Sequence, residues 1–263
     1  MSKRIIYYYQ TFEPGLFNLF NKGNCVSHIH LASIHFGNND DGSAYIHLNN
    51  NDPRDKIFDH VWEDLKLIKE YNTKTILMVG GAGGGYTTLF SNYKLYFNLL
   101  VELIKDKSDI IDGIDLDVEE NVDLDNVVKM ICDLKSHFGK DFIVTMAPIQ
   151  ASLETDSPGI GGFSYKELYN QVGDKIDYFN CQCYYDYSLD SFDKMVKNGY
   201  PANKIVMGSL SSQDFNMCLK TARQVSLKYK NFGGVYNWEY FDSPPSEFNP
   251  ALWSMCMSNE IKA

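Results

Sequence analysis

The chain has 263 residues, a formal net charge of −10 at pH 7 and a pI near 5.0. Because binding to nucleic-acid phosphates depends on clustered Lys and Arg, this acidic balance argues against a nucleic-acid partner. No segment approaches the roughly 18 consecutive apolar residues of a membrane span, so we expect no membrane partner either.

Short apolar runs alternate with segments of helical periodicity along the whole chain, which indicates a parallel sheet with helices packed outside it. The sequence predicts eight strands, at residues 4–9, 28–35, 75–79, 113–118, 142–147, 178–184, 205–209 and 234–238. Helical spacing is clearest at residues 57–71, 89–105, 124–138, 191–198 and 214–229. No linker or repeat divides the chain. The predicted fold class is therefore α/β, a single (β/α)8 TIM barrel over residues 1–263.

Two connections predict the shape of the barrel mouth. A turn pattern at residues 39–42 indicates that the second strand continues into a hairpin. Residues 210–232, between the seventh and eighth strands, have room for one helix and not for a large α+β insertion domain. We therefore expect a shallow, open groove.

The start of the chain and the cysteines bear on its compartment. The apolar run at residues 5–9 is too short for the hydrophobic region of a signal peptide. The six cysteines lie mostly in apolar runs, as reduced core residues do. We expect no signal peptide and synthesis in the cytoplasm, with release or non-classical export as the route to an extracellular substrate.

The most specific feature is the octapeptide 112–119, DGIDLDVE. In an extended strand Asp115, Asp117 and Glu119 share one face, about 6–7 Å apart, and apolar residues fill the other. Mutual repulsion and loss of water favour a retained proton on at least one of these carboxyls near neutral pH. A Glu that holds its proton beside an ionised Asp can act as the general acid of glycoside hydrolysis.

Other interpretations of the octapeptide exist. A half-exposed antiparallel strand shows the same alternation, although the apolar flank 110–111 argues against it. A calcium loop that begins at Asp115 would need Gly where Glu120 stands. A divalent-metal D-x-D site stays open, but no His lies near this segment. We expect no metal and no cofactor.

Two further patterns are weaker. The glycine-rich run 80–85 looks like a phosphate loop, but no Lys follows it, which favours tight packing or loop flexibility. The six histidines form no paired metal-binding pattern, so we interpret His28, His30 and His35 as hydrogen-bonding residues of strands and loops.

The octapeptide resembles the D-x-x-D-x-D-x-E pattern of glycoside hydrolase family 18, the chitinases and endo-β-N-acetylglucosaminidases. Segments 77–81, 145–148, 182–184 and 233–238 resemble, in the family's order, its motifs on the third, fifth, sixth and eighth strands. The resemblance covers residues 4–238, nearly the whole chain.

The resemblance implies that Glu119, Asp117, Asp115 and Tyr184 are catalytic. Glu119 would protonate the glycosidic oxygen while the substrate's own 2-acetamido carbonyl attacks the anomeric carbon. Asp117 would orient and stabilise the acetamido group, and Asp115 would share a proton or hydrogen bond with Asp117. Tyr184, or its neighbour Tyr185, would bind the acetamido oxygen.

The resemblance and the strand-end positions also give a set of substrate-binding residues, comprising Gln182, Trp238, Met146, Tyr8 and Gly81. Gln182 would hold the sugar or its acetamido group, and Trp238 would form an apolar floor. Tyr8 ends the first strand, where core packing is the alternative to lining the groove.

The sequence thus predicts a monomeric chitinase that cleaves β-1,4 linkages of N-acetylglucosamine polymers, within the chain because the groove is open. The expected partner is chitin or another N-acetylglucosamine-containing oligosaccharide. One alternative is an endo-β-N-acetylglucosaminidase that cuts the chitobiose core of N-glycans. A catalytically silent chitin-binding lectin and a metal-dependent enzyme that uses Asp115 and Asp117 are the others.

Overall fold

The structure is a computed structural model that describes residues 3–262. The strands of this region are β1 (Arg4–Tyr9), β2 (His28–Asn38), β3 (Ala44–Leu48), β4 (Lys74–Gly80), β5 (Ile111–Asp117), β6 (Ile143–Met146), β7 (Tyr178–Gln182), β8 (Ile205–Leu210) and β9 (Gly234–Trp238). All of them except β3 run parallel and close into an eight-stranded barrel in the order β1-β9-β8-β7-β6-β5-β4-β2, and pairing of β1 with β2 completes the ring. The predicted single TIM barrel is confirmed.

Helices in the connections cover the outside of the barrel. They are α1 (Asp59–Ile68), α2 (Tyr86–Ser91), α3 (Tyr93–Asp106), α4 (Leu124–Phe138), α5 (Gln150–Glu154), α6 (Tyr165–Val172), α7 (Leu189–Lys197), α8 (Phe215–Lys228) and α9 (Ala251–Ile261). Short 3-10 turns occur at Leu16–Leu19, Lys56–Phe58, Lys69–Tyr71 and Ala202–Lys204. In the residues described, no helix is long and apolar enough to cross a bilayer.

Helix α4 shows why helical periodicity is readable in this sequence. Its buried residues Val127, Met130, Ile131 and Leu134 follow the spacing of a single apolar stripe, and both of its ends coincide with the predicted ones. By contrast, α5, α6 and α9 were not predicted. Helices α5 and α6 have only five and eight residues, too few for the helical period to stand out, and α9 carries apolar residues on its exposed side as well, such as Met255.

The alternation of side chains along each strand separates two cores. In β5, Ile114 and Leu116 join the large core between barrel and helices. Asp115 and Asp117 have the opposite parity and face the barrel interior. A smaller apolar cluster fills that interior and includes Ile6, Tyr8, Ala32, Ile76, Met78, Ile143, Tyr178, Val206 and Tyr236. The acids therefore lie on the side that opens at the carboxyl ends of the strands.

Both predicted connections are present. Strand β3 pairs antiparallel with the second half of β2, from Ile34–Leu48 to Asn38–Ala44, and forms the expected hairpin. The segment between β8 and β9 contains α8 as its one regular element and no insertion domain. The hairpin therefore extends β2 beyond its barrel part, whereas the β8–β9 connection adds one helix.

Candidate active site

A cleft of about 890 Å³ opens at the carboxyl ends of the strands, where the loops of a TIM barrel form its active face. Six of the residues singled out from the sequence line it, namely Gly81, Asp117, Glu119, Gln182, Tyr184 and Trp238. They come from four different strand ends and the loops that follow. The barrel thus brings together residues that lie far apart in the sequence.

Asp115 lies at the base of the carboxylate array and is fully buried. Its Oδ1 accepts hydrogen bonds from the Thr145 hydroxyl at 2.5 Å and from the Asn180 amide at 3.1 Å. Its Oδ2 accepts one from the Tyr8 hydroxyl at 2.6 Å and lies 3.3 Å from Nδ1 of His30. These contacts compensate a carboxylate that has no access to water.

The predicted hydrogen bond between Asp115 and Asp117 is absent from the described part of the chain. The reason is that donors from four other strands already surround both oxygens of Asp115. Burial alone raises the pKa of Asp115, but the nearby His30 and the hydrogen bonds outweigh burial and leave that pKa below its usual value. Asp115 is accordingly the ionised member of the array.

Asp117 has the opposite character. Burial, followed by the charges of Glu119 and Asp115, holds the pKa of Asp117 well above its usual value. Its side chain has few stabilising contacts, chiefly the amide nitrogen of Gln182 at 3.3 Å from Oδ1. The middle carboxyl is therefore the one that retains a proton near neutral pH.

Gln182 connects the two carboxyls that face the cleft. Its amide nitrogen lies 3.3 Å from Oδ1 of Asp117, 3.4 Å from Oε1 of Glu119 and 3.0 Å from the carbonyl oxygen of Ala147. Glu119 stands just beyond the end of β5 and is half-buried. Among the described residues, Asp117 and Glu119 are the two carboxyls that line the cleft, and both rise from the same strand end.

Two aromatic residues of the cleft come from β9 and from the loop that follows β7. The hydroxyl of Tyr184 is 3.1 Å from that of Tyr236, which faces the barrel interior. Tyr185 is 98% exposed and does not line the cleft, so the geometry favours Tyr184 over its neighbour. Trp238 lines the cleft, and its ring centroid lies 5.2 Å from that of Tyr8.

Two residues predicted to bind substrate do not reach the cleft. Met146 is fully buried and packs in the outer core, because the strand alternation turns it toward the helices and turns Thr145 inward. Tyr8 faces the interior but is only 2% exposed, and its hydroxyl is bonded to Asp115 below the cleft. Met146 is thus a packing residue, and Tyr8 supports the carboxylate array from beneath.

The glycine-rich run 80–85 forms a wall of the cleft. The backbone N–H of Gly81 donates to the carbonyl oxygen of Asp117 at 2.9 Å. Gly81 has φ +82°, and a Cβ there would lie 2.9 Å from Cε of Met78 and 3.4 Å from Oδ2 of Asp117. The run is therefore glycine-rich because its backbone passes close to the acids in conformations that L residues rarely adopt.

Residues on two sides hold this glycine loop. Glu120, next to Glu119, accepts hydrogen bonds through Oε2 from the N–H groups of Tyr86 and Thr87 at the start of α2. His35 lies with Nδ1 2.8 Å from the carbonyl oxygen of Gly84. The loop that carries Glu119 and the glycine loop are thereby joined.

The hairpin supplies a part of the cleft that the sequence did not predict. Ser33, His35, Tyr45, His47 and Asn49 line it, and the rings of Tyr45 and His47 stack with centroids 3.8 Å apart. The turn pattern revealed the hairpin, but not the direction of its side chains.

The β1 side of the cleft was also missed. Gln10 and Thr11 line it, and their N–H groups donate to Oε2 of Glu239 at 2.8 and 2.9 Å.

Among the described residues no group of three or more His, Cys, Asp or Glu could hold a metal ion.

Comparison with known proteins identifies the family. A sequence model described as Glycosyl hydrolases family 18 matches residues 4–241. The chain belongs to glycoside hydrolase family 18. A search of curated proteins found no match. As a family 18 member with chitinase neighbours among solved structures, the chain is a glycoside hydrolase.

Solved structures of family 18 are similar over nearly the whole chain. A fungal endo-β-N-acetylglucosaminidase is 29% identical, with a TM-score of 0.89 and 98% coverage of each chain. A chitinase from Aspergillus fumigatus is also 29% identical, with a TM-score of 0.86 and 94% coverage of each chain. A family 18 chitinase from Pseudoalteromonas aurantia shares the fold at 19% identity, with a TM-score of 0.76 and coverage of 98% of this chain and all of that one.

Proposed function

We propose that the chain is a chitinase that cleaves β-1,4 linkages between N-acetylglucosamine units by a substrate-assisted, retaining mechanism. The observation that carries this proposal is the arrangement of cleft carboxyls. Asp117 and Glu119 line the cleft from one strand end, and in the described chain no carboxyl lines the opposite wall. This arrangement supports a nucleophile supplied by the substrate, as the 2-acetamido group is in the exception to the two-carboxylate scheme.

Glu119 serves as the general acid and then as the general base. Its carboxyl is half-buried and opens to the cleft, where it can protonate the glycosidic oxygen. When the aglycon leaves, the ionised Glu119 takes a proton from the incoming water. The acetamido oxygen and then the water each attack the anomeric carbon with inversion, so the two steps together retain its configuration.

Asp117 carries a proton in the free enzyme. When substrate binds, this proton passes to Glu119, which donates it to the glycosidic oxygen, and the ionised Asp117 then faces the developing positive charge on the acetamido nitrogen. Gln182 lies within 3.4 Å of both carboxyls and holds them in place relative to each other. Tyr184 presents its hydroxyl to the acetamido oxygen, since its other neighbour, Tyr236, lies behind it in the barrel. Trp238 provides the flat apolar surface on which a sugar face stacks.

A second candidate substrate is the chitobiose core of N-glycans. It is favoured by the similarity to the fungal endo-β-N-acetylglucosaminidase over 98% of both chains. The acid and the assisted mechanism are the same in both cases. The polar wall formed by Gln10, Thr11 and Asn49 also suits the hydroxyls of a branched glycan.

The test compares wild type and Glu119→Gln on a fluorogenic chitotriose glycoside and on a high-mannose glycoprotein. Glu102→Gln, an exposed position on α3, is the matched control. We expect the Glu119 variant to lose about 10²–10⁴-fold in kcat with an unchanged melting temperature, and the control to keep wild-type activity. If the wild type releases the glycan but does not cleave the chitotriose glycoside, the proposed substrate is the N-glycan core and not chitin. Wild-type activity in Glu119→Gln would refute the mechanism.

A further inference from the structure

A histidine lies inside the barrel directly beneath the carboxylates. His30 on β2 is fully buried, with Nδ1 3.3 Å from Oδ2 of Asp115 and Nε2 3.2 Å from the hydroxyl of Tyr178. Its ring centroid is 4.8 Å from that of Tyr8, its register partner on β1. The histidine therefore touches both Asp115 and the tyrosine that donates to Asp115.

His30 is the one basic side chain in contact with Asp115 among the described residues. The other donors to this carboxylate, from Tyr8, Thr145 and Asn180, are neutral. Nδ1 of His30 has no well-aligned hydrogen bond elsewhere in the described chain, which leaves Asp115 as its polar neighbour. A carboxylate buried without a compensating charge is costly, and the imidazole is the group placed to supply that charge.

We propose that His30 is a positioning residue of the active site, which holds Asp115 ionised so that the proton of the array stays on Asp117 and Glu119. This inference rests on the proposed role of Glu119 as the acid. After the effect of burial, the charge of His30 is the largest influence on the pKa of Asp115, and it lowers that pKa. The ionised Asp115 in turn helps to raise the pKa of Asp117.

The surroundings of His30 contain few groups that titrate. Tyr8 faces it from β1, Asp115 from β5 and Tyr178 from β7, while His28 lies two residues earlier on the same strand. On β4 its register partner is the apolar Ile76. Burial raises the pKa of both tyrosines far above neutrality, so they stay protonated during catalysis.

Loss of the imidazole has a predictable electrostatic effect. Without the imidazole of His30, Asp115 takes up a proton. The repulsion between ionised Asp115 and Asp117, which lie about 6–7 Å apart along the strand, is then lost. At an effective dielectric constant near 20 that interaction corresponds to roughly two pKa units, and loss of the histidine charge cancels part of it. Both limbs of the pH–activity profile should therefore move about one unit toward lower pH.

The direction of the shift separates this role from others. If Asp115 stayed ionised without His30, removal of a positive charge would raise the pKa of Asp117 further, and the profile would move to higher pH. A purely structural histidine would lower activity at every pH without moving the limbs.

The first experiment measures kcat/KM against pH for wild type and His30→Gln with the chitotriose glycoside. His28→Gln is the matched control, a buried histidine on the same strand without contact to Asp115. We expect the downward shift in His30→Gln and none in His28→Gln. An unmoved profile or an upward shift would overturn the proposal. Tyr178→Phe, which removes the contact to Nε2 but keeps the imidazole, should show a smaller shift in the same direction and serves if His30→Gln does not fold.

A second experiment does not require turnover. Carbon-13 NMR of aspartate labelled at the carboxyl carbon, with Asp115→Asn to assign the signal, reports the ionisation of Asp115 directly. We expect an ionised Asp115 in wild type at about pH 5 and a carboxyl that titrates at higher pH in His30→Gln. Identical titration in both proteins would contradict the inference, whereas inactivity of the wild type would count against the proposed function alone.

Discussion

Replacement of Gly81 by alanine tests whether bare backbone forms the surface of the sugar site. Gly81 has φ +82°, a region that costs an L residue roughly 1–2 kcal/mol. A new methyl group would meet the end of the Met78 side chain at 2.9 Å, which a flexible thioether can vacate, and Oδ2 of Asp117 at 3.4 Å, which is ordinary contact. The backbone cost should therefore dominate the loss of stability.

Gly42 provides the matched control for this experiment. It lies in the β2–β3 turn with the same φ of +82°, and nothing lies within 4 Å of a Cβ built on it. Gly42→Ala and Gly81→Ala should thus lose similar stability, about 2–4 °C in melting temperature per kcal/mol for a chain of this size. Any difference in activity between them measures the methyl group in the cleft and not the strain.

We expect Gly81→Ala to lose roughly 10–100-fold in kcat/KM, because the methyl displaces the sugar beside Asp117 and small misplacements are costly in catalysis. Gly42→Ala should keep wild-type kinetics. The assay is cleavage of the chitotriose glycoside, with melting temperature measured by scanning calorimetry. Equal activity of the two variants at equal stability would refute the assignment of Gly81 to the sugar site.

Two further predictions concern the neighbours of Glu119. The pKa of Asp117 is higher in the folded protein than its unfolded value near 3.8. Protonated Asp117 therefore contributes its full stability below pH 3.8, and this contribution is lost as the pH rises through the folded pKa. Asp117→Asn should therefore raise the melting temperature at about pH 7 but not at about pH 3, and it should lower kcat. An unchanged melting temperature at neutral pH would contradict the raised pKa of Asp117. Glu120→Gln should lose about 0.5–1 kcal/mol and raise KM a few-fold with little change in kcat, because it weakens the anchor at the start of α2. Calorimetry and steady-state kinetics check it, and a KM equal to that of Glu102→Gln would show that this anchor does not shape the cleft.

The alternation of side chains along a strand explains why the inward residues of β5 could be predicted from the sequence and the inward residue of β6 was not. The every-second spacing of the acids predicts that they share one face, and in β5 that face is the inward one. For β6, the strand-end rule suggested Met146, although a strand end contains residues of both faces. Thr145 is the register partner of Asp115, and paired residues of neighbouring strands face the same side of the sheet. Thr145 is therefore the inward residue of β6.

His30 illustrates what a sequence pattern does not contain. A single histidine in an apolar strand carries no spacing that separates a structural from a functional role. Its contact with Asp115 depends on closure of the barrel, which sets β2 beside β1 and turns both toward β5. Tyr8 and Asn180 reach the same carboxylate from two more strands. These contacts to Asp115 form only in the closed barrel, so the sequence of any one strand does not indicate them.

The choice between chitin and N-glycan substrates should depend on the walls of the cleft and not on its acids. The fungal endo-β-N-acetylglucosaminidase and the Aspergillus chitinase are each 29% identical to this chain, and both match its fold over at least 94% of their length. In the proposed mechanism Asp117, Glu119 and Gln182 would serve cleavage next to any N-acetylglucosamine unit, so they would not discriminate between the two substrates. The β8–β9 side contributes only α8, so it builds no high wall. The surfaces left to contact the rest of the substrate are the hairpin with Tyr45 and His47, the glycine loop and the β1 side with Gln10 and Thr11, and we expect the specificity of this enzyme to arise there.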